Sequence, residues 1–215
     1  MTAPSPEELA ARKRAAAAPR RATEADAAAV ARSLARSFAD DPVVTYFVRD
    51  DAGRPRAMQA WFDFAVRRYG LRGNELWMSE DARAVALWLP PPQDVMNMSA
   101  LEELSLVPLL LNVVGVSRLA RLNRLRAAVG AHHPTAPHAY LFFLGVDPDC
   151  QGQGLGSAIL GATLAPLDAS GTDAYLESSN IKNVPLYQRH GFEITSEFRP
   201  EPSGPQIWGM WRKAR

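Results

Sequence analysis

One segment constrains the fold more than any other: a continuous apolar run followed by three closely spaced glycines. The run covers residues 139–146, and Gly152, Gly154 and Gly156 occupy alternate positions after it. An apolar run of this length is typical of a strand that is buried on both faces. Residues 154–167 then carry the pattern of a helix, so the glycines lie in a strand-to-helix turn. This connection predicts an α/β fold.

The rest of the chain alternates between helical and extended patterns. Further predicted helices cover 23–39, 54–69, 97–129 and 183–190, and further predicted strands cover 20–23, 76–78, 84–89, 174–178, 193–198 and 206–211. The helices of 97–129 form an insertion ahead of the apolar run. Because no repeat or long linker divides the chain, we expect one domain over residues 20–215, preceded by a tail or marginal helix over residues 1–19.

The composition argues against several classes of protein. The chain has 215 residues and a formal net charge of +1, which suits a nucleic-acid binder poorly because such proteins need many phosphate contacts. The single cysteine, Cys150, cannot form an internal disulfide, and no apolar stretch reaches the ~20 residues of a membrane span. The histidines are spaced too irregularly for a metal site. We expect a cytoplasmic monomer or homodimer without a nucleic-acid, membrane or metal partner.

The glycine-rich turn predicts a site for an anion. Without Cβ atoms the backbone can approach a ligand closely, and the amides of residues 151–156 then point into one concavity at a helix N-terminus. The turn lacks the Gly-Lys-Ser/Thr of a P-loop, and Ser157 stands where the dinucleotide motif Gly-x-Gly-x-x-Gly needs its last glycine. A glycine-rich turn without a ligand is the alternative.

Four segments, in order and spacing, resemble the GNAT superfamily of acetyltransferases. Residues 151–156 resemble its acetyl-CoA motif Gln/Arg-x-x-Gly-x-Gly, and residues 146–148 resemble the Val-x-Pro bulge at the end of its motif strand. Asn180 lies seven residues before Tyr187, and residues 186–192 resemble the family's Leu-Tyr-x-x-x-Gly-Phe. The resemblance implies the GNAT fold, a mixed central sheet flanked by helices. A V-shaped gap between two splayed strands would hold the pantetheine arm.

The resemblance also implies acetyl-CoA as the acetyl donor and assigns roles to individual residues. The donor-binding residues would be Val146, Gln151, Gly152, Gln153, Gly154, Leu155, Gly156, Ser157 and Asn180. Tyr187 occupies the family's general-acid position and would protonate the departing thiolate, while the amide of Val146 would hold the developing oxyanion. A core tyrosine on an amphipathic helix is the alternative for Tyr187.

The general base and the acceptor site follow less directly from the sequence. Glu177 lies at the end of a strand on the other wall of the gap, where it could accept a proton or serve as a structural carboxylate. An aromatic acceptor pocket or a packed core could be formed by Phe38, Tyr46, Trp61, Trp77 and Trp88. Asp40 and Asp41 could bind a cationic acceptor or only cap a helix. The arginines over residues 118–126 are typical of a solvated helix face.

We therefore expect an enzyme that transfers an acetyl group from acetyl-CoA to a primary amine of a small molecule, by direct attack in a ternary complex. Aminonucleosides and antibiotic-like amines are candidate acceptors. Two alternatives stay open: acetylation of a protein or peptide N-terminus, and an acyl-CoA-binding module without turnover. The insertion at 97–129 looks like a cover over the acceptor site, which disfavours the first, and the presence of Tyr187 disfavours the second.

Overall fold

The computed structural model describes residues 4–92 and 99–215, and its centre is a seven-stranded sheet in the order β1-β2-β3-β4-β5-β7-β6. The strands are β1 (Arg20–Arg21), β2 (Leu76–Met78), β3 (Ala84–Leu89), β4 (Ala139–Val146), β5 (Ala174–Ser178), β6 (Glu193–Phe198) and β7 (Ile207–Arg212). Only β4 and β5 are parallel, and every other neighbouring pair is antiparallel. The predicted mixed sheet is confirmed.

Helices flank the sheet on both faces. They are α1 (Pro6–Ala17), α2 (Ala27–Ser37), α3 (Pro42–Phe47), α4 (Arg54–Ala65), α5 (Ala100–Ser105), α6 (Val107–Val113), α7 (Leu119–His132), α8 (Leu155–Ala169) and α9 (Val184–Arg189). A π-helical turn, Val66–Leu71, continues α4. The insertion predicted over 97–129 comprises α5 to α7, and its first two residues lie outside the described part of the chain. No helix in the described part is long and apolar enough to cross a membrane.

The parallel pair β4 and β5 is splayed, as predicted. Pairing is limited to Ala139 with Ala174 and Tyr140 with Tyr175, although β4 continues to Val146 and β5 to Ser178. The two strands therefore part after Tyr140 and leave a V-shaped gap between their carboxyl ends.

The bulge that accompanies this separation is not where the sequence predicted it. The register of β4 against β3 shifts between Leu87 and Trp88, which face Phe143 and Leu141, so Phe142 is the extra residue. Pro148 instead begins a 3₁₀ turn, Pro148–Cys150, after the strand has ended. This bulge could not be predicted from the sequence, because position 142 is a phenylalanine rather than a glycine or proline.

Helix α3 was missed because Pro42 was interpreted only as the end of the preceding helix. Proline is well suited to the first turn of a helix, where its missing N–H costs nothing. Asp41 completes the start of α3: its Oδ1 accepts hydrogen bonds from the amides of Val43 at 2.9 Å and Val44 at 3.0 Å. The side chain of Asp41 is thereby fixed at the junction between α2 and α3.

Candidate active site

The glycine-rich turn leaves the first amides of α8 without helical partners. Gly154 is the N-cap residue of this helix and has φ +84°, a left-handed conformation that favours glycine. The first intrahelical bond runs from the amide of Ala158 to the carbonyl of Gly154, at 3.1 Å. The N–H groups of Leu155, Gly156 and Ser157 precede that bond and point out of the helix end. Such a turn fits an anionic group such as a pyrophosphate.

Several of the predicted donor-binding side chains shape the turn rather than point away from the protein. Gln151 Nε2 donates to the carbonyl of Val146 at 3.2 Å, and Gln153 Nε2 donates to the carbonyl of Asp149 at 3.1 Å. Ser157 Oγ lies 2.7 Å from Nε2 of His190, the residue after α9. These contacts leave the backbone of the turn as the surface that faces a ligand.

Asn180, in the loop after β5, caps a 3₁₀ turn. Its Oδ1 accepts from the amide of Lys182 at 3.0 Å. Asn183, which directly precedes α9, makes no capping hydrogen bond because it is already in helical conformation. The capping residue of this segment is therefore Asn180, three positions earlier.

The amide of Val146 points into the gap. On the next residue, the N–H of Asp147 donates to the carbonyl of Arg83 at 2.8 Å, on the β3 side of the chain. Successive amides of an extended strand alternate between its two edges, so the N–H of Val146 faces away from β3. Because β5 has already separated from β4 at this point, this amide is available to a ligand in the gap.

Tyr187 lies on α9 with 8% of its surface exposed, and its ring packs edge-on against Phe192. Within residues 4–92 and 99–215 its hydroxyl has no hydrogen-bond partner. Burial raises the pKa of Tyr187 above its ordinary value of 10, and the charge of Asp41 raises it further. The hydroxyl of Tyr187 therefore keeps its proton at neutral pH.

Glu177 is held by two side chains that the sequence analysis did not identify. Its carboxyl group accepts a hydrogen bond from the hydroxyl of Tyr140, and its Oε1 lies 3.2 Å from Nδ1 of His133. Burial raises the pKa of Tyr140 well above its usual value, and the charge of Glu177 adds to this shift. Tyr140 could have been found from the pairing of β4 with β5, but His133 lies just after α7, where no local pattern points to Glu177.

A cavity of about 630 Å³ opens beside the gap and contains Glu177. Its aromatic wall includes Phe38, Phe47, Trp61, Phe64, Tyr69 and Phe142, and leucines of α6 and α7 contribute as well. Among its described lining residues the charged ones are Asp41, Glu103, Arg126 and Glu177. Because Glu103 and Arg126 are exposed, Asp41 and Glu177 are the two carboxyl groups of the cavity interior.

Asp41 and Ser179 connect the two sides of the site. The hydroxyl of Ser179, which follows β5, donates to Oδ2 of Asp41, and both residues line the cavity. Burial raises the pKa of Asp41, although the hydrogen bonds from Ser179 and from the start of α3 oppose this shift. Asp41 therefore lines the acceptor cavity, and its charge also raises the pKa of the predicted general acid, Tyr187.

The other predicted acceptor-site residues divide between cavity, core and surface. Phe38 and Trp61 line the cavity, whereas Trp88 is buried on the opposite face of the sheet and Trp77 packs beside it. Tyr46 lies outside the cavity and donates to Glu201 at 2.7 Å. The pattern of aromatic residues therefore predicted the pocket only in part.

Arg118 was predicted to lie on a solvated helix face, and this prediction is wrong. Its guanidinium is largely buried and donates to the carbonyls of Thr45 at 2.6 Å and Val48 at 2.8 Å. These carbonyls belong to the last turn of α3 and the residue after it. The contact could not be predicted because α3 itself was missed. A cation that binds the last carbonyls of a helix can be recognised only when that helix is known.

Residues 74–192, more than half of the chain, match the family described as Acetyltransferase (GNAT). The chain belongs to the GNAT family. The matched range contains β2 to β5, the glycine-rich turn and α9, which together build the gap and the turn.

Curated relatives agree with this GNAT assignment. An uncharacterized N-acetyltransferase of Schizosaccharomyces pombe is 27% identical over 172 residues, which cover 75% of this chain and 68% of the relative. A mycothiol acetyltransferase of Propionibacterium freudenreichii is 38% identical over 63 residues. That match covers 28% of this chain and only 20% of the mycothiol enzyme, so it compares a part of each protein.

The fold is also that of solved GNAT structures. A Corynebacterium glutamicum structure described as histone acetyltransferase HPA2 and related acetyltransferase superposes with a TM-score of 0.70. The superposition covers 92% of this chain and 96% of the other, at 24% sequence identity. At this identity the likeness shows the fold alone.

Proposed function

We propose that this GNAT protein transfers the acetyl group of acetyl-CoA to the primary amine of a small molecule with a large apolar body, by direct attack in a ternary complex. The observation that carries the proposal is the pair of inner carboxyl groups, Asp41 and Glu177, in a cavity walled by aromatic and aliphatic side chains. Carboxylates attract an ammonium group, and the apolar wall favours burial of the rest of the molecule.

The donor site follows from the turn and the gap. When bound, acetyl-CoA supplies the acetyl group as a thioester. The amides of residues 151–157 would hold the pyrophosphate, and the gap between β4 and β5 would take the pantetheine arm. We keep Val146, Gln151, Gly152, Gln153, Gly154, Leu155, Gly156, Ser157 and Asn180 as the proposed donor-binding residues, with the side chains of Gln151 and Gln153 shaping the turn.

The chain's own residues provide three functions for the transfer. Glu177 accepts a proton from the acceptor's ammonium group, directly or through water, and so presents a neutral amine to the gap. The N–H of Val146 donates to the carbonyl oxygen on which negative charge develops as the C–N bond forms. Tyr187 holds a proton at its hydroxyl and gives it to the sulfur as the C–S bond breaks. Since this sulfur is also removed from water, its affinity for the proton rises as well. The nitrogen carries a surplus proton once the C–N bond has formed, and it returns that proton to Tyr187, directly or through water, so that a neutral amide leaves.

The class of acceptor is supported by a second resemblance. Segments 37–40, 84–88, 145–149, 151–158 and 176–179 resemble puromycin N-acetyltransferase. An aminonucleoside of this type combines a primary amine with aromatic groups, which suits the cavity's two inner carboxyl groups and its aromatic wall. The resemblance weakens over residues 93–135, which include part of the cavity wall, so the preferred acceptor of this chain can differ.

The proposal is tested by measuring thiol release from acetyl-CoA with a panel of amines. The panel contains puromycin, a phenylalkylamine, a short alkylamine, a diamine and a peptide with a free N-terminus. We expect turnover with the apolar monoamines, and kcat/KM at least about 10-fold lower for the short alkylamine, because it leaves the apolar wall uncovered. Trp61→Ala should lower kcat/KM selectively for the large amines. Trp77→Ala, which changes a residue outside the cavity, should not.

Two results would contradict the proposed function. A clear preference for the peptide would make the protein an N-terminal acetyltransferase. Tight binding of acetyl-CoA without thiol release for any amine would make it an acyl-CoA-binding module.

A further inference from the structure

Helix α1 is a fixed part of the molecule and lies against α8. Its start is closed by reciprocal hydrogen bonds: the amide of Glu8 donates to Ser5 Oγ at 3.2 Å, and the amide of Ser5 donates to Glu8 Oε2 at 2.7 Å. Near its other end Ala16 is fully buried in a cluster that includes Leu155 and Ile159 of α8. The helix therefore has a defined start, and the face that carries Ala16 packs against the N-terminal part of α8.

Two consecutive cations of α1 reach the glycine-rich turn. Arg12 Nη1 donates to Oε1 of Gln153 at 3.2 Å and lies 3.6 Å from Sγ of Cys150. The side chain of Lys13 runs beside Gly154, since a Cβ added at this glycine would be 3.2 Å from Cε and 3.7 Å from Nζ of Lys13. Both positive charges therefore lie next to the unpaired amides at the start of α8.

These two cations are not neutralised by carboxylates of the turn. The acidic residues there, Asp147 and Asp149, form ion pairs with Arg36, at 3.2 Å and 2.9 Å. Arg12 makes its hydrogen bonds to an uncharged amide and a thiol. Lys13 has no ion pair within the described ranges 4–92 and 99–215. The charge of Arg12 acts on Glu8 of its own helix, but no carboxylate of the turn pairs with Arg12 or Lys13. Two cations beside a turn with outward-pointing amides favour an anionic ligand.

We infer that Arg12 and Lys13 of α1 form a phosphate-binding arm of the donor site, which contacts the diphosphate of the donor. This inference rests on the proposed use of acetyl-CoA. It gives the N-terminal helix a role in affinity for the donor, and it makes that affinity depend on ionic strength, because Lys13 is exposed.

The test measures the dissociation constants of CoA and of 3′-dephospho-CoA by calorimetry, using the full chain. We expect Lys13→Gln to raise the dissociation constants of both ligands by about 3- to 10-fold. Arg12→Gln combined with Lys13→Gln should raise them further. Lys13→Arg should keep most of the affinity. Arg14→Gln is the matched control: Arg14 is exposed on the same helix and, two residues from Ala16, points away from α8.

The outcomes separate this inference from the proposed function on which it rests. Wild-type protein that binds CoA, together with single and double variants that bind it equally well, would overturn the phosphate-binding arm alone. A loss seen with CoA but absent with 3′-dephospho-CoA would assign the arm to the 3′-phosphate and overturn the contact with the diphosphate. Wild-type protein that does not bind CoA would overturn the proposed function, and the arm with it.

Discussion

The two halves of the site are built in different ways. The centre of the proposed donor half is one continuous stretch, residues 151–157, and the ligand-facing groups of that stretch are backbone amides. The acceptor half is a cavity whose lining comes mainly from α3 to α7, β4, β5 and β7, and its ligand-facing groups are side chains. A backbone site depends on glycine and helix geometry, whereas a side-chain site depends on the tertiary fold. We therefore expect substitutions in the acceptor half to change catalysis and acceptor choice while leaving donor affinity intact.

The largest effect should come from Tyr187→Phe. This change removes only the hydroxyl, so kcat should fall by about 10²- to 10³-fold because the proton donor for the leaving thiolate is lost. The dissociation constant of acetyl-CoA should stay the same. The melting temperature should also stay nearly the same, since this hydroxyl has no hydrogen-bond partner in the described part of the chain.

Tyr46→Phe is the matched control for this prediction. Tyr46 donates to Glu201 at 2.7 Å, so losing its hydroxyl should lower the free energy of unfolding by about 1 kcal/mol without reducing kcat. The opposite pattern, in which Tyr187→Phe lowers stability and preserves turnover, would show that Tyr187 is a structural residue and would remove the general acid from the proposed mechanism.

The same contrast explains what the sequence could predict. Strands β4, β5 and β6 were predicted with the bounds that the structure has, because each is a short extended segment between clear turn signals. The glycine-rich turn was predicted to connect a buried strand to a helix, since glycines at alternate positions follow the apolar run, and the structure has this connection. Both features are local, and local patterns are what a single sequence records directly.

The acceptor half could be predicted only in fragments. Trp61 and Trp88 are both tryptophans, and the sequence does not distinguish them. In the fold, Trp61 lines the cavity and Trp88 lies in the core on the opposite face of the sheet. His133 and Glu177 are 44 positions apart, and nothing in either local pattern indicates their contact. Asp41 was predicted to cap a helix or to bind a cationic acceptor, but its hydrogen bond with Ser179 across 138 positions could not be read from either local pattern.

Glu177→Gln tests whether the acceptor half contains the general base. We expect kcat/KM for the amine to fall by about 10- to 10²-fold at pH 7, because the ammonium group then loses its proton acceptor. The deficit should shrink as the pH approaches ~10, where the amine is neutral without help. The affinity for acetyl-CoA should not change.

The control for this variant is Glu193→Gln, an exposed acid on β6 outside the cavity, which should behave as wild type. Glu177→Gln with a pH-independent deficit would contradict a role as base. A large loss of stability with unchanged kinetics would instead assign Glu177 to a structural network with Tyr140 and His133.

The smallest effect should come from Asp41→Asn, which changes the charge at the boundary between the two halves. Asparagine caps a helix as well as aspartate does, so the start of α3 should persist in Asp41→Asn. Asp41→Ala should lower the free energy of unfolding by about 1 kcal/mol. The loss of charge should raise KM for cationic amines by about 3- to 10-fold and leave kcat and donor affinity nearly unchanged.

The difference in stability between Asp41→Asn and wild type should also depend on pH, because only the wild-type side chain titrates. Burial raises the pKa of Asp41 in the folded protein, so the folded state binds this proton more tightly than the unfolded state does. The stability that this proton provides is complete below the ordinary pKa of 3.8 and is lost as the pH rises through the raised value. The difference in melting temperature, variant minus wild type, should therefore increase from pH 4 to pH 7. A difference that decreases over this interval, together with an unchanged KM, would show that Asp41 serves α3 alone and that the cavity recognises its amine through Glu177.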